Sequence, residues 1–125
     1  MERQIRYHTD LDVWQLSRAI ANKAYRTTAG FPAEEKFALL DQIRRAAVSI
    51  AANIAEGCGS GTTREMIRSL RIARGSLSEL HSHWTLARDL GFVSADAEMF
   101  ERIARVHAMI NSLIGSLQRR AQDAN

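Results

Sequence analysis

An antiparallel up-down-up-down four-helix bundle is the fold this sequence predicts, and three observations predict it. Helix breakers are sparse: one proline and seven glycines in 125 residues, gathered at 30–32, 57–61 and 91 apart from Gly75 and Gly115. No window sustains the period-two alternation of a half-buried strand. The segments between breakers carry apolar residues at steps of three and four, the spacing of a coiled-coil-like seam. Short connections make consecutive helices antiparallel neighbours with left-handed packing.

The first helix is expected at 10–29. Thr9 with Asp12 reads as its capping arrangement, and Gly30 as its left-handed C-cap residue. Its apolar residues form two adjacent stripes, Val13-Leu16-Ile20 and Trp14-Ala21-Tyr25, the mark of a helix with more than one neighbour.

Pro32 suits the start of a second helix over 33–56, with Gly57 as its C-cap. Leu40, Ile43, Ala47, Ile50 and Ile54 form its seam, and no charge falls between Ala46 and Ala55. Small residues on every side suggest packing beyond one bundle. Ala46, Ser49, Ala52 and Asn53 are therefore candidates for an interface between subunits, with Asn53 able to fix register or oligomer state.

The third helix is expected at 62–90, capped by Thr62 with Glu65 and stopped by Gly91. Its seam runs Met66, Leu70, Ala73, Leu77, Leu80, Trp84, Ala87. The fourth, at 95–121, opens on Ser94 with Asp96 in its first turn, and its seam is Met99, Ile103, Val106, Ile110, Leu113, Leu117. The domain is assigned to 9–121, with an N-terminal arm at 1–8 and a C-terminal tail at 122–125.

Composition narrows the function. With 46% hydrophobic and 25% charged residues, the chain is neither disordered nor collagen-like. A single Cys58 excludes an internal disulfide, and the longest uncharged run, 46–55, is too short to span a membrane. The N-terminal stretch has no apolar core of a secretory signal, so a cytoplasmic protein without a membrane partner is expected.

No catalytic constellation is legible. Ser49, Ser76 and Ser78 lack a His and Asp at readable spacing, and Glu56 reads as a helix-end residue. His81 and His83 point to different sides of a helix, and no His-x-x-x-His or Glu-x-x-His pair occurs, so neither metal nor cofactor is expected. The Gly-rich run 57–61 lacks the strand and Gly-Lys-Ser/Thr of a phosphate loop. What remains there is a helix N-terminus with Thr62, Thr63 and Arg64, which could hold an anion.

Basic residues are more informative. Fifteen of the seventeen are Arg, and the net charge is only +3. Yet residues 64–74 hold four Arg and one Glu, a local +3. Arg64, Arg68, Arg71 and Arg74 fall on one helix face, roughly opposite the seam, where forked guanidinium groups suit successive phosphates. A solvated face with ion pairs is the plainer reading of the same stripe. Arg44 and Arg45 are a second candidate pair, though Asp41 is placed to engage either.

The run from Gln42 through Arg44-Arg45-Ala46-Ala47-Val48-Ser49-Ile50-Ala51-Ala52-Asn53-Ile54-Ala55-Glu56 to Gly57 resembles the signature of a bacterial four-helix-bundle family. Its founding members are encoded in intervening sequences of large-subunit ribosomal RNA genes. Leu11-Asp12-Val13-Trp14, Gly30-Phe31-Pro32, Gly75 through Leu80, and Leu90-Gly91-Phe92 carry the same resemblance. Ala51 departs from it, since the family often has Pro there; its absence removes a kink from helix two. The family is similar to the accessory protein of diversity-generating retroelements, a positively charged homopentamer. The resemblance thus implies a pentamer, RNA or DNA as ligand and a reverse transcriptase as partner, with no catalytic residue to carry over. The rival expectation is an oligomeric interaction scaffold that binds no nucleic acid.

Overall fold

A computed structural model describes residues 7–123. Residues 1–6 of the assigned arm and 124–125 of the tail lie outside the described residues. Four α-helices follow one another: α1 (Asp12–Thr28), α2 (Leu39–Gly59), α3 (Thr63–Asp89) and α4 (Glu98–Asp123). Each packs on its sequence neighbours, and α1 closes the ring on α4. No strand occurs among the described residues. None of their helices is long and apolar enough to cross a membrane.

The predicted seams of α2, α3 and α4 form the core. Ile43, Ala47, Ile50 and Ile54 meet Leu70, Ala73, Leu77 and Leu80, with Met99, Val106 and Ile110 closing it. Leu40, Met66, Leu113 and Leu117 sit half-buried at its ends. On α1 the buried line is Val13, Ser17, Ile20, Ala24, Thr28, and Leu16 is only half-buried. The two hydroxyls fit because each donates to the carbonyl one turn back, Ser17 to Val13 and Thr28 to Ala24, both at 2.7 Å.

Helix ends differ from expectation in five places. Gly30 is not a left-handed cap: α1 ends at Thr28 with Ala29 right-handed in the C-cap position, and among the described glycines only Gly61 and Gly91 have positive φ. Thr9 does not cap α1: a 3₁₀ turn (His8–Asp10) precedes it, and Leu11 takes the N-cap position without a side-chain bond. α2 begins at Leu39 rather than 33. Pro32 instead opens a 3₁₀ turn (Ala33–Glu35), and the Glu35 carboxylate then accepts the Leu39 N–H at 3.2 Å. Gly57 is no C-cap. α2 runs through it to Gly59, and Gly61 takes the left-handed conformation, with φ +80°. Ser94 does not cap α4 directly; it donates to Asp96, whose carboxylate accepts the Glu98 N–H at 3.0 Å.

Two expected ends are met. Thr62 Oγ1 accepts the Glu65 N–H at 3.1 Å. Gly91 (φ +77°) closes α3 with Gly91 N–H to Arg88 O and Phe92 N–H to Ala87 O, the paired bonds of a Schellman ending.

Gly57 has a packing role instead. A Cβ there would stand 2.8 Å from Met66 Sδ and 2.9 Å from Ser69 Cβ, so this glycine sets how closely α2 and α3 approach. With Ala at 51, α2 runs unbroken past the middle of its length.

Candidate nucleic-acid interface

The antiparallel register lays the start of α3 against the end of α4. Arg64, Arg68 and Arg71, spread over about 10 Å of helix, line an open groove of ≈860 Å³. Ile67 and Ile72 supply its apolar wall on α3, and Gln118 and Ala121 face them from α4. No Asp or Glu lines it. All three arginines are exposed. Arg68 stands 3.9 Å from Glu65 across one helical turn, while Arg64 and Arg71 make no ion pair among the described residues.

Arg74 leaves this set. It lies further round α3 towards α4, where its Nη1 donates to Asn111 Oδ1 at 2.8 Å. Three of the four stripe residues thus share the groove, and the fourth bridges two helices. The amide of Gln118 and the Arg74–Asn111 bridge were not legible, because both depend on a helix about forty residues downstream. The anion-binding possibility at the α3 N-terminus is reduced, since the Thr62 hydroxyl already serves the Glu65 N–H.

The second basic pair stands apart, about 20 Å along α2 from the α2–α3 turn at 1.5 Å per residue. Arg44 is structural. Its Nε donates to the buried Thr28 Oγ1 at 2.8 Å, its Nη2 to Tyr25 O at 3.3 Å, and its guanidinium stacks 4.4 Å from the Tyr25 ring centre. Arg45 points outward and binds Asp41 at 2.9 Å, and that hydrogen bond holds its guanidinium above the ordinary value. Neither lines the groove.

The interface candidates on α2 divide as well. Ala46 is 3% exposed within the chain's own core, so it has no surface to offer a second copy. Ser49 Oγ meets Ser76 Oγ at 2.8 Å, and Asn53 Nδ2 donates to both Ser49 O and Ser49 Oγ. This polar cluster ties α2 to α3. Ala52 alone of the four is exposed, beside exposed Val48.

Elsewhere, chemistry-bearing groups are scattered. No group of three His, Cys, Asp or Glu among the described residues is arranged to hold a metal. Burial pushes the Cys58 thiol up, away from the reactive thiolate.

With the bundle and its groove defined, comparison places the chain. The model of the 23S rRNA-intervening sequence protein family matches residues 9–112. The chain belongs to that family. A solved structure of a protein with unknown function from the S23 ribosomal protein family of Bacteroides thetaiotaomicron is similar, with a TM-score of 0.64 and 25% identity. The similarity covers 84% of this chain and 96% of that one. No curated protein matches. Within this family the four helices are a scaffold, and function resides in the side chains that the groove presents.

Proposed function

We propose that this chain is a non-catalytic, oligomeric protein whose α3–α4 groove holds the phosphate backbone of RNA or DNA. One observation carries the reading: Arg64, Arg68 and Arg71 line a single open groove without a carboxylate among its walls. Guanidinium groups so placed exchange water and counterions for phosphate oxygens, so affinity depends steeply on salt. The cytoplasm is the proposed setting, suited to a chain with one cysteine.

The test is the triple variant Arg64→Gln/Arg68→Gln/Arg71→Gln in a binding series from low to physiological salt. Three phosphate contacts give log K against log salt a slope of about −2 on a single strand. The variant should lose that binding and keep its helical circular dichroism, since all three side chains are exposed. Binding with an unchanged slope overturns the assignment.

Assembly into a homopentamer is part of the proposal. Self-association is supported by Tyr25, Phe37 and Val48, exposed around a groove of ≈600 Å³, with Phe37 87% exposed, and the number five follows the family resemblance. Exposed apolar residues gathered around one groove, rather than scattered singly, mark an interaction surface. Light scattering should return five times the 14.0 kDa chain mass, and a stable monomer refutes it. The same patch favours a second reading, an interaction scaffold that binds no nucleic acid; absence of any gel shift at low salt would select it.

A further inference from the structure

The Arg groove ends near Ile72, but the seam between α3 and α4 continues. Arg74 Nη1 donates to Asn111 Oδ1 (2.8 Å), and Asn111 Nδ2 meets His107 Nδ1 at 3.3 Å. His107 then lines a second groove, of ≈360 Å³, with His81, Ser78 and Phe100. His81 sits edge-on to Phe100, with ring centres 5.0 Å apart. Neither groove has an Asp or Glu in its lining. Cationic or protonatable groups therefore follow one another along the seam from Arg64 to His81, about 26 Å at 1.5 Å per residue.

We infer that the two grooves form one track for a single phosphodiester strand, and that its far end is completed only when His81 and His107 are protonated. The inference deepens the proposed function and rests on it. Packed helices lie about 8–10 Å apart, a seam that suits one strand and not the width of a duplex. Arg64, Arg68 and Arg71 hold the near end at any pH, since guanidinium does not deprotonate. Imidazole, unlike guanidinium, has a neutral form, so a change of pH separates the far end from the near one.

The lining holds no acid, and His107 Nδ1 accepts Asn111 Nδ2 only while unprotonated, so the opposite charge that stabilises imidazolium there comes from the bound phosphate itself. Arg74 stands at the junction of the grooves. Arg88 lies 5.1 Å from the Phe100 ring centre and 3.9 Å from Asp89, so the carboxylate at that end has its own cation. Glu79 on α3 and Arg105 on α4 lie outside both linings, and α1 and α2 contribute to neither. His8 packs on Trp14 at 4.8 Å, away from the seam, and His83 lines neither groove.

The test uses fluorescence anisotropy of a labelled oligouridine, whose bases do not titrate in this range, across a salt series at about pH 7.5 and about pH 5.5. Two added phosphate contacts steepen the wild-type slope by about 1.4 at the lower pH. Between about 50 and 200 mM salt the wild type then loses roughly sevenfold more affinity at the lower pH than at the higher. His81→Gln/His107→Gln should show the same slope at both, equal to that of the wild type at the higher pH. Both side chains are exposed, so a melting curve matching the wild type confirms that the double variant is folded. Equal wild-type slopes, or steepening retained in the double variant, overturn the track and leave the Arg groove standing. No wild-type binding at low salt at either pH overturns the groove and the track together.

Discussion

Arg44→Met should cost about 1–2 kcal/mol of stability and leave nucleic-acid affinity unchanged. Arg44 donates from Nε to Thr28 Oγ1 at 2.8 Å and from Nη2 to Tyr25 O at 3.3 Å, and stacks on the Tyr25 ring at 4.4 Å. Methionine retains most of the aliphatic stem, so packing is largely kept. A hydrogen bond from a charged group contributes about 1.5–3 kcal/mol in general. Here the figure is discounted, because Thr28 still donates to Ala24 O and the Tyr25 carbonyl can reach water. About 0.5 kcal/mol for each bond and up to about 1 for the half-exposed stack gives the total. Unfolding entropy of about 2.1 cal/mol/K per residue over 125 residues converts this to a Tm lower by about 4–8 °C. Circular-dichroism melts at one fixed protomer concentration read it, because assembly makes Tm depend on concentration. An unchanged Tm together with lost affinity would move Arg44 into the phosphate-binding set and refute its structural assignment.

Two further substitutions probe the scaffold. Gly57→Ala should destabilise by about 1–3 kcal/mol, since its Cβ would meet Ser69 Cβ at 2.9 Å and the Met66 backbone Cα at 3.3 Å. Gly59→Ala, two residues on with open space around its Cβ, should be neutral or mildly stabilising; equal melts for the two variants would remove the close approach of α2 to α3 as the cause. Glu98→Gln should flatten the acid limb of stability. Lys23, then Arg102, hold the Glu98 carboxyl below its ordinary value, so its contribution is present above the usual carboxylate range and disappears as pH falls through the lowered value. Tm should therefore fall less steeply in the variant than in the wild type between about pH 5 and pH 3; parallel curves would discard the ion-pair explanation.

The seams of α2, α3 and α4 were legible because burial imposes a period on sequence, and Ile43, Leu70 and Ile110 obey it. Ser17 and Thr28 broke the reading of α1, since a hydroxyl bonded to the carbonyl one turn back is core in energy and polar in name. Helix starts were less legible: nothing between Pro32 and Leu39 looks like a breaker, and the delay of α2 depends on the Glu35 carboxylate reaching the Leu39 N–H. The site divides the same way. Helical angle alone predicts that Arg64, Arg68 and Arg71 share a face. It cannot predict that Arg74 is drawn to Asn111, thirty-seven residues away, because that depends on the register of α4.

The uncharged middle of α2 has two physical causes, and separating them changes what supports assembly. Ala46 and Ala47 face the core, and Ser49 and Asn53 form the polar contact with Ser76 on α3. Those positions are explained within one chain and argue nothing about a second. Val48 and Ala52 point outward with no partner inside the bundle, and Phe37 and Tyr25 stand exposed beside Val48 around the same groove. The case for a subunit interface therefore rests on this outer face of α2 with Phe37. That face carries Arg45 paired to Asp41, whereas the arginines of the α3–α4 groove lack such close pairing. Arg45 paired to Asp41 and Arg44 bonded to Thr28 and Tyr25 are already engaged within the chain, which leaves Lys36 as the loose cation of that groove. Arg64 and Arg71, by contrast, make no ion pair among the described residues and are suited to phosphate. The engagement of these cations thus supports the proposal that the two faces serve different partners.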